Sequence, residues 1–364
     1  MDTMRLNTAE QAAALVDCAY ETYGLTFHRP WLYDAEAILD LNRRGDVLSF
    51  VAMEGRQVVG HIAMIRPCFD VTQDGVGITD GAVREVGLSM VRPSHQGRGV
   101  QASISVTMMQ HVLQSEIAGT YMKCVTHHTG SQKGARRSGA VPSGLLVGSV
   151  PRWIRYDGEA QDPDQPISCM QYQLSFRPRE TALYVPEGFE WAWDVMDASC
   201  TPRTLAAPAP VEGETRMVVK WQGDRQLAQI YVTEAGADLA DALEKKLRWL
   251  LEGHIQHVLV YLPADQPAVG VAGRELEALG LFPAGWIPDF YRGRRDALMY
   301  QASAFRGLDI GRIQVTGEDA RAVVENVYGA WMRTRASRPQ DLHAGTSSRI
   351  VSLDAVRQAR VKAS

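Results

Sequence analysis

The run from Glu85 to Gln101, EVGLSMVRPSHQGRGVQ, holds the residues best suited to chemistry. Apolar residues predict a strand up to Val91, Pro93 stops it, and Ser94-His95-Gln96-Gly97-Arg98-Gly99 makes a glycine-rich turn. Beyond the turn, Val100, Ile104, Met108 and Val112 fall at helical spacing. A strand that passes through such a turn into a helix exposes several backbone N–H groups at the positive end of the helix dipole. That arrangement cradles a phosphate or a pyrophosphate. The glycines admit unusual backbone angles and let a ligand approach closely, and Arg98 is placed to add a charge-assisted contact. Other reactive patterns are missing. There is no Walker loop, no HExxH and no Gly-x-Ser-x-Gly elbow, and Gly75-Val76-Gly77-Ile78-Thr79-Asp80 lacks the third glycine of a dinucleotide fingerprint. The 5 cysteines are odd in number and none is spaced as CxxC, so neither a disulfide framework nor a metal site is expected.

The elements around this segment follow from periodicity. The first 20 residues read as an amphipathic helix with a Thr8/Gln11 capping box, and Ala35 to Asn42 as a second helix ended by Gly45. Val47 to Glu54 and Gln57 to Pro67 predict a hairpin turning at Gly55-Arg56, followed by a glycine-rich loop and the strand Val83 to Val91. After the helix Val100 to Leu113 come a strand at Tyr121 to Thr126, a short helix at Ser131 to Ser138, and strands at Leu145 to Val150 and Ile167 to Phe176. The proline-rich Pro202 to Pro210 reads as a linker. Past it the pattern restarts: strands at Met217 to Trp221, Leu227 to Val232 and Val258 to Leu262, helices at Leu239 to Leu251 and Arg274 to Leu279, and a strand at Leu298 to Gln301. Gly317 to Thr334 predicts a helix, and a polar, Arg-rich tail follows it.

In this order of elements and in Gln96-Gly97-Arg98-Gly99-Val100-Gln101, the chain resembles the GCN5-related N-acetyltransferase (GNAT) superfamily over roughly residues 1–178. The superfamily's loop runs Gln or Arg, two residues, Gly, one residue, then Gly or Ala. This sequence matches at Gln96 and Gly99 and departs at Gln101, whose larger side chain narrows the pyrophosphate site or donates to it. The resemblance implies that the fourth and fifth strands splay and that the pantetheine arm of acetyl-CoA, or another acyl-CoA, enters the gap. Leu88, Ser89, Met90 and Val91 would then contact the cofactor with Gln96, Gly97, Arg98, Gly99, Val100 and Gln101, the Met90 N–H serving the thioester carbonyl. Glu85 is the implied base, since an alkyl ammonium cannot attack until it loses a proton. The superfamily's usual acid, a tyrosine, falls here on Ala135, and its usual Asn on His128. His127 or His128 takes the acid's place, or else Tyr121 or Tyr156. Only one of two adjacent histidines on a strand can face the cleft. Tyr20, Tyr23, His28, Trp31 and Tyr33 crowd the segment that usually walls the acceptor, and the Lys133, Arg136, Arg137 cluster is a candidate for the 3′-phosphate.

The second half resembles a degenerate copy of the same fold, with Thr-Glu-Ala-Gly-Ala after Val232 where the loop should be and Glu234 set to repel a pyrophosphate. The expected architecture is α/β, two GNAT-like domains that are each a splayed mixed sheet flanked by helices. A catalytic domain over 1–178 binds acyl-CoA, 179–210 connect, 211–303 form the degenerate domain, and 304–364 a C-terminal helix and tail. A chain of 364 residues with 45% hydrophobic and 22% charged residues suits two globular domains. Lys+Arg 38 against Asp+Glu 42 disfavours nucleic acid, and no apolar run is long enough to span a bilayer. Cysteine usage and the lack of a signal-like N-terminus point to the cytoplasm. The expected activity is transfer of an acyl group from coenzyme A to a small-molecule amine by direct attack in a ternary complex, with a homo-oligomer as a possible state. The alternatives are a non-catalytic acyl-CoA sensor or scaffold, and a transferase that draws on acyl carrier protein.

Overall fold

The computed structural model describes residues 1–27, 29–150, 166–199, 201–222, 227–252, 255–303 and 309–336. His28, Tyr156 and the tail, all singled out in the sequence, lie outside them. Twelve strands form one sheet. In chain order they are β1 (Asp2–Arg5), β2 (Val47–Glu54), β3 (Gln57–Ile65), β4 (Val83–Val91), β5 (Gly119–Val125), β6 (Val141–Leu146), β7 (Cys169–Ser175), β8 (Arg216–Gln222), β9 (Leu227–Glu234), β10 (His257–Pro263), β11 (Phe282–Tyr291) and β12 (Arg295–Ser303). Across the sheet they lie β1-β2-β3-β4-β5-β7-β6-β11-β12-β10-β9-β8, so the second half runs through its strands in mirror order from the seam outward. Within this sheet, among the described residues, only β4–β5 and β9–β10 pair in parallel, each joined by a crossover helix.

The helices are α1 (Ala9–Tyr23), α2 (Ala35–Arg44), α3 (Val100–Leu113), α4 (Gly130–Arg137), α5 (Ala192–Ala198), α6 (Leu239–Glu252), α7 (Pro267–Val271), α8 (Gly273–Ala278) and α9 (Glu318–Ala336). Two expectations need correction. The chain begins with strand β1, paired to β2, and α1 starts only after the Thr8/Gln11 capping box. Residues 282–291, given no element in the sequence reading, form the fully buried strand β11. The run FPAGWIPDFY, buried on both faces and charged only at Asp289, has no alternation to announce it.

Strand alternation assigns each face its helices. Val47 and Val51 of β2 meet α1 and α2, whereas Leu48, Phe50 and Ala52 meet Ile104 and Met108 of α3. At the seam, β6 and β11 share a single registered pair, Gly144 with Gly285. A Cβ on either glycine would strike the opposing backbone, so the two strands approach this closely only because neither residue has one. Side chains supply the missing hydrogen bonds. Gln171 Nε2 donates to the Trp286 carbonyl at 3.0 Å, and Gln301 both donates to Leu145 (2.8 Å) and accepts from Val147 N–H (2.9 Å).

Pro202 to Pro210 is more than a linker. Arg203–Leu205 pair in parallel with Thr181–Leu183, and the buried Arg203 guanidinium clamps Asp296 at 2.6 and 3.0 Å. Residues 66–82 also tie the halves together. Asp70 pairs with Lys220 at 2.6 Å, Asp74 with Arg216, and Asp80 accepts from Gly293 N–H at 2.9 Å.

Candidate active site: a wedge between β4 and β5

β4 and β5 pair from Val83–Gly119 to Val86–Met122 and then part, leaving Gly87 to Val91 of β4 beside an opening wedge. A bulge helps them part. His61 of β3 lies opposite Met90 and Ala63 opposite Gly87, so Leu88 and Ser89 together oppose Ile62 alone. The bulge reverses the alternation of β4. Val86 faces α3, but Leu88 and Met90 both turn to the α1 side. Their side chains are therefore core, and the contacts expected from them to a cofactor fall to the backbone. Only Ser89 of the group is exposed.

At the wide end of the wedge lies the glycine loop. Gly97 and Gly99 hold left-handed φ of 74° and 77°, and nothing stands within 4 Å of where a Cβ would be on either. Among the described residues, the N–H groups of Gly97, Arg98, Gly99 and Val100 donate to no protein acceptor. α1 and α2 are capped by Thr8 and Asp34 side chains, whereas α3 starts from Gly99 without a side-chain cap. Bare amides at a helix start, on an exposed loop, fit a pyrophosphate. Ser94 and Glu54 brace the turn from the other side through His95, each at 2.8 Å. Gln101 does not project freely into the site, because its Oε1 is buried and without a partner.

At the narrow end is Glu85, opposite Tyr121 at the last but one pair of the β4–β5 ladder. Its Oε2 accepts from the Tyr121 hydroxyl at 3.0 Å and from Lys123 Nζ at 3.4 Å. Burial pushes the Glu85 carboxyl up, but the charges of Lys123 and Arg29 and the Tyr121 hydrogen bond outweigh it and leave the group below the ordinary glutamate range. Burial and Glu85 together push the Tyr121 phenol well above its ordinary value, so Tyr121 stays protonated and donates. Lys123 is held above the usual lysine value because the Glu85 charge overcomes its burial. Tyr261 of β10 acts electrostatically on both Tyr121 and Lys123, and its ring stacks at 4.9 Å on Tyr231 of β9. The second half thus reaches the site's edge.

His127 and His128 follow the end of β5, six and seven residues beyond Tyr121, or about 20 Å along an extended chain. The structure does not bring them to Glu85. They pack edge to face at 4.4 Å, and His128 Nδ1 accepts from Gly130 N–H at 3.1 Å, which puts the proton of a neutral ring on Nε2. Arg136 grips Asp319 of α9 with both oxygens at 2.8 Å, so it is not available to a 3′-phosphate. Sequence reasoning missed Lys123 and Arg29. Lys123 was legible in principle, because it lies two residues from Tyr121 on one strand and so shares its face.

A family model for nodulation protein A (NodA) matches residues 42–149, from the end of α2 past β6, and so contains the wedge and the loop. Over those residues the chain is similar to the NodA family. Among solved structures, ribosomal-protein-alanine N-acetyltransferase from Brucella melitensis is similar at 16% identity and a TM-score of 0.37, over 48% of this chain and 100% of that one. An N-acetyltransferase from Staphylococcus aureus Mu50 is similar at 14% and 0.36, over 48% and 99%. The PaiA N-acetyltransferase from Thermoplasma acidophilum, in complex with coenzyme A, is similar at 11% and 0.31, over 48% and 100%. Comparison with curated proteins gave no match. No helix among the described residues is long and apolar enough to cross a membrane.

Proposed function

We propose that the chain is a cytoplasmic N-acyltransferase that moves an acyl group from acetyl-CoA, or another short acyl-CoA, to a small-molecule amine. One observation carries this reading: the unpartnered amides of Gly97 to Val100 stand at the wide end of a wedge whose narrow end holds an ionised Glu85. NodA, whose family model covers the wedge, is itself an N-acyltransferase.

Bound acyl-CoA supplies a thioester, whose C–S bond breaks as the amine nitrogen bonds to the acyl carbon. The loop amides and Arg98 hold the diphosphate, and the backbone of Leu88 to Val91 lines the arm. Glu85 keeps Oε2 on Tyr121 and Lys123, while Oε1 has no described protein partner. A carboxylate held below its ordinary range is a weak base. We therefore assign Glu85 to binding the acceptor's ammonium and passing its proton to water, not to direct deprotonation. Tyr121 positions Glu85 and is a poor proton source, so the departing thiolate takes its proton from water, and His127 and His128 pack on each other beyond the end of β5. The second half acts as a copy that no longer binds coenzyme A and closes the acceptor side.

A sensor that binds acyl-CoA without turning it over is the second reading. It is favoured by Ala135, buried where the superfamily places its acid. Calorimetry with acetyl-CoA, followed by thiol release with a panel of amines, decides the matter. Binding with release supports the enzyme, binding without release the sensor, and no binding removes both.

A further inference from the structure

His61 is a polar residue in the middle of the otherwise apolar strand QVVGHIAMI, and no solvent reaches it. Its Nδ1 lies 2.8 Å from the Leu88 carbonyl oxygen. A carbonyl can only accept, so Nδ1 carries the proton, and Nε2 is left buried with no partner. Burial lowers the ring's pKa to about 4, so it stays neutral near pH 7. A residue that leaves one of its own nitrogens unsatisfied in the core is stabilising something else.

What it touches is the bulge. Leu88 is a branched residue at a left-handed φ of 53°, a conformation that turns its carbonyl out of the regular β4 ladder. His61, directly opposite Met90 on the adjacent strand β3, meets that carbonyl. The next carbonyl, that of Ser89, accepts from the Tyr23 hydroxyl of α1 at 3.3 Å. Side chains from both neighbours thus hold the two bulged carbonyls, at the point where β4 and β5 part. The structure assigns His61 the role of a positioning residue that fixes the Leu88 carbonyl and so keeps the wedge open for a pantetheine arm. This rests on the acyl-CoA reading above.

The test uses H61L, which removes the donor, and H61N, whose side-chain amide places a donor where Nδ1 stands. In the ligand-free protein, amide hydrogen exchange at residues 88–91 is expected to be about tenfold faster in H61L and near wild type in H61N. In calorimetry, coenzyme A is expected to bind H61L about tenfold more weakly, and 3′-phosphoadenosine 5′-diphosphate, its nucleotide half without the arm, unchanged. Equal loss of both ligands, unchanged exchange in β4, or H61N behaving as H61L each overturn the assignment. Should H61L fail to fold, H61N against H61Q replaces it. Gln carries its donor at the Nε2 position, so equal exchange in the two variants also overturns the proposal. A wild-type protein that binds no coenzyme A removes the acyl-CoA reading while the exchange comparison still reports on the bulge.

Discussion

The same step of the fold, a strand leading through a short turn into the crossover helix, occurs twice in the molecule and is finished in opposite ways. Before α3, the amides of Gly97 to Val100 find no protein acceptor and the two glycines border open space. Before α6, Ala235 N–H donates to Gln266, Gly236 N–H to Thr215 Oγ1 at 3.1 Å, and Ala237 N–H to the Gly213 carbonyl at 3.1 Å. A Cβ on Gly236 would strike the Gly213 carbonyl. One helix start keeps its amides bare, as an anion cradle requires, because nothing of the protein fills it. The other is filled by the chain that enters β8. The strands differ in the same sense. β4 runs on from Gly87 to Val91 beyond its last pair with β5, whereas β9 leaves only Val232 to Glu234 unpaired with β10. The electrostatic objection to Glu234 raised by the sequence is therefore secondary, because the amides it would guard are already bonded.

Breaking that contrast should give the largest effects. Gly99→Val forces a β-branched residue into φ 77° and covers the bare amides, and is expected to lower coenzyme A affinity by about two orders of magnitude with the fold intact. Gly236→Val is its counterpart. It should destabilise the second half while the folded protein keeps its affinity. Calorimetry beside thermal melting separates the two, and a Gly99→Val protein of normal affinity would show that the loop is misassigned. Next in size, Glu85→Gln is expected to reduce kcat about a hundredfold and to change the Kd for coenzyme A little, measured by initial rates and calorimetry. An equal loss of affinity would place Glu85 in cofactor binding instead.

The halves also use buried charge differently. Glu85 and Lys123 sit at a partly open cleft, while Arg203 and Asp296 are sealed, with Trp286 Nε1 and the Asp289 N–H also donating to Asp296 at 2.9 and 3.0 Å. Arg203→Met strands a fully buried carboxylate and should cost about 3–5 kcal/mol in denaturant unfolding, with coenzyme A affinity preserved in the folded fraction.

Glu85 has a pH signature of its own. Its folded pKa is lowered, so the stability it contributes is complete above the unfolded glutamate value and is lost as pH falls through the folded one. The difference in Tm between wild type and Glu85→Gln is therefore expected to hold steady from neutral pH down to the ordinary glutamate range and to shrink below it. A difference that shrinks already near pH 6 would mean that Glu85 is not held ionised.

Much of this was legible in the residues. The loop, α3, the β2–β3 hairpin and the capping box before α1 follow from local chemistry, where glycine, proline and capping side chains act on their neighbours. Glu85 was legible as a carboxylate on β4, and Lys123 as a neighbour of Tyr121 on one face, but their pairing was not, since they lie 38 residues apart and Arg29 is on a different segment. β11 escaped because complete burial erases periodicity. The bulge at Leu88 escaped for another reason: nothing in the sequence VGLSMV marks a left-handed leucine, and His61, which holds it, lies 27 positions upstream. Most telling is the plugged turn before α6. Read as a sequence, Thr-Glu-Ala-Gly-Ala lacks the right residues. Read in three dimensions, it also lacks the space.

That distinction yields the smallest expected effect. Were Glu234 the reason the second half binds no coenzyme A, Glu234→Gln would restore a weak second site, and titration would rise above one ligand per chain. Glu234 is exposed and pairs with Arg216 of the neighbouring strand at 3.5 Å, so its charge is already screened and partly balanced. Removing it frees none of the amides of residues 235–237, which stay bonded to Gln266, Thr215 and Gly213. Stoichiometry should thus remain one, with stability altered by no more than about 0.5 kcal/mol. A second equivalent taken up by Glu234→Gln would mean that charge alone silenced this half, and that the segment at Gly213 moves aside for a ligand.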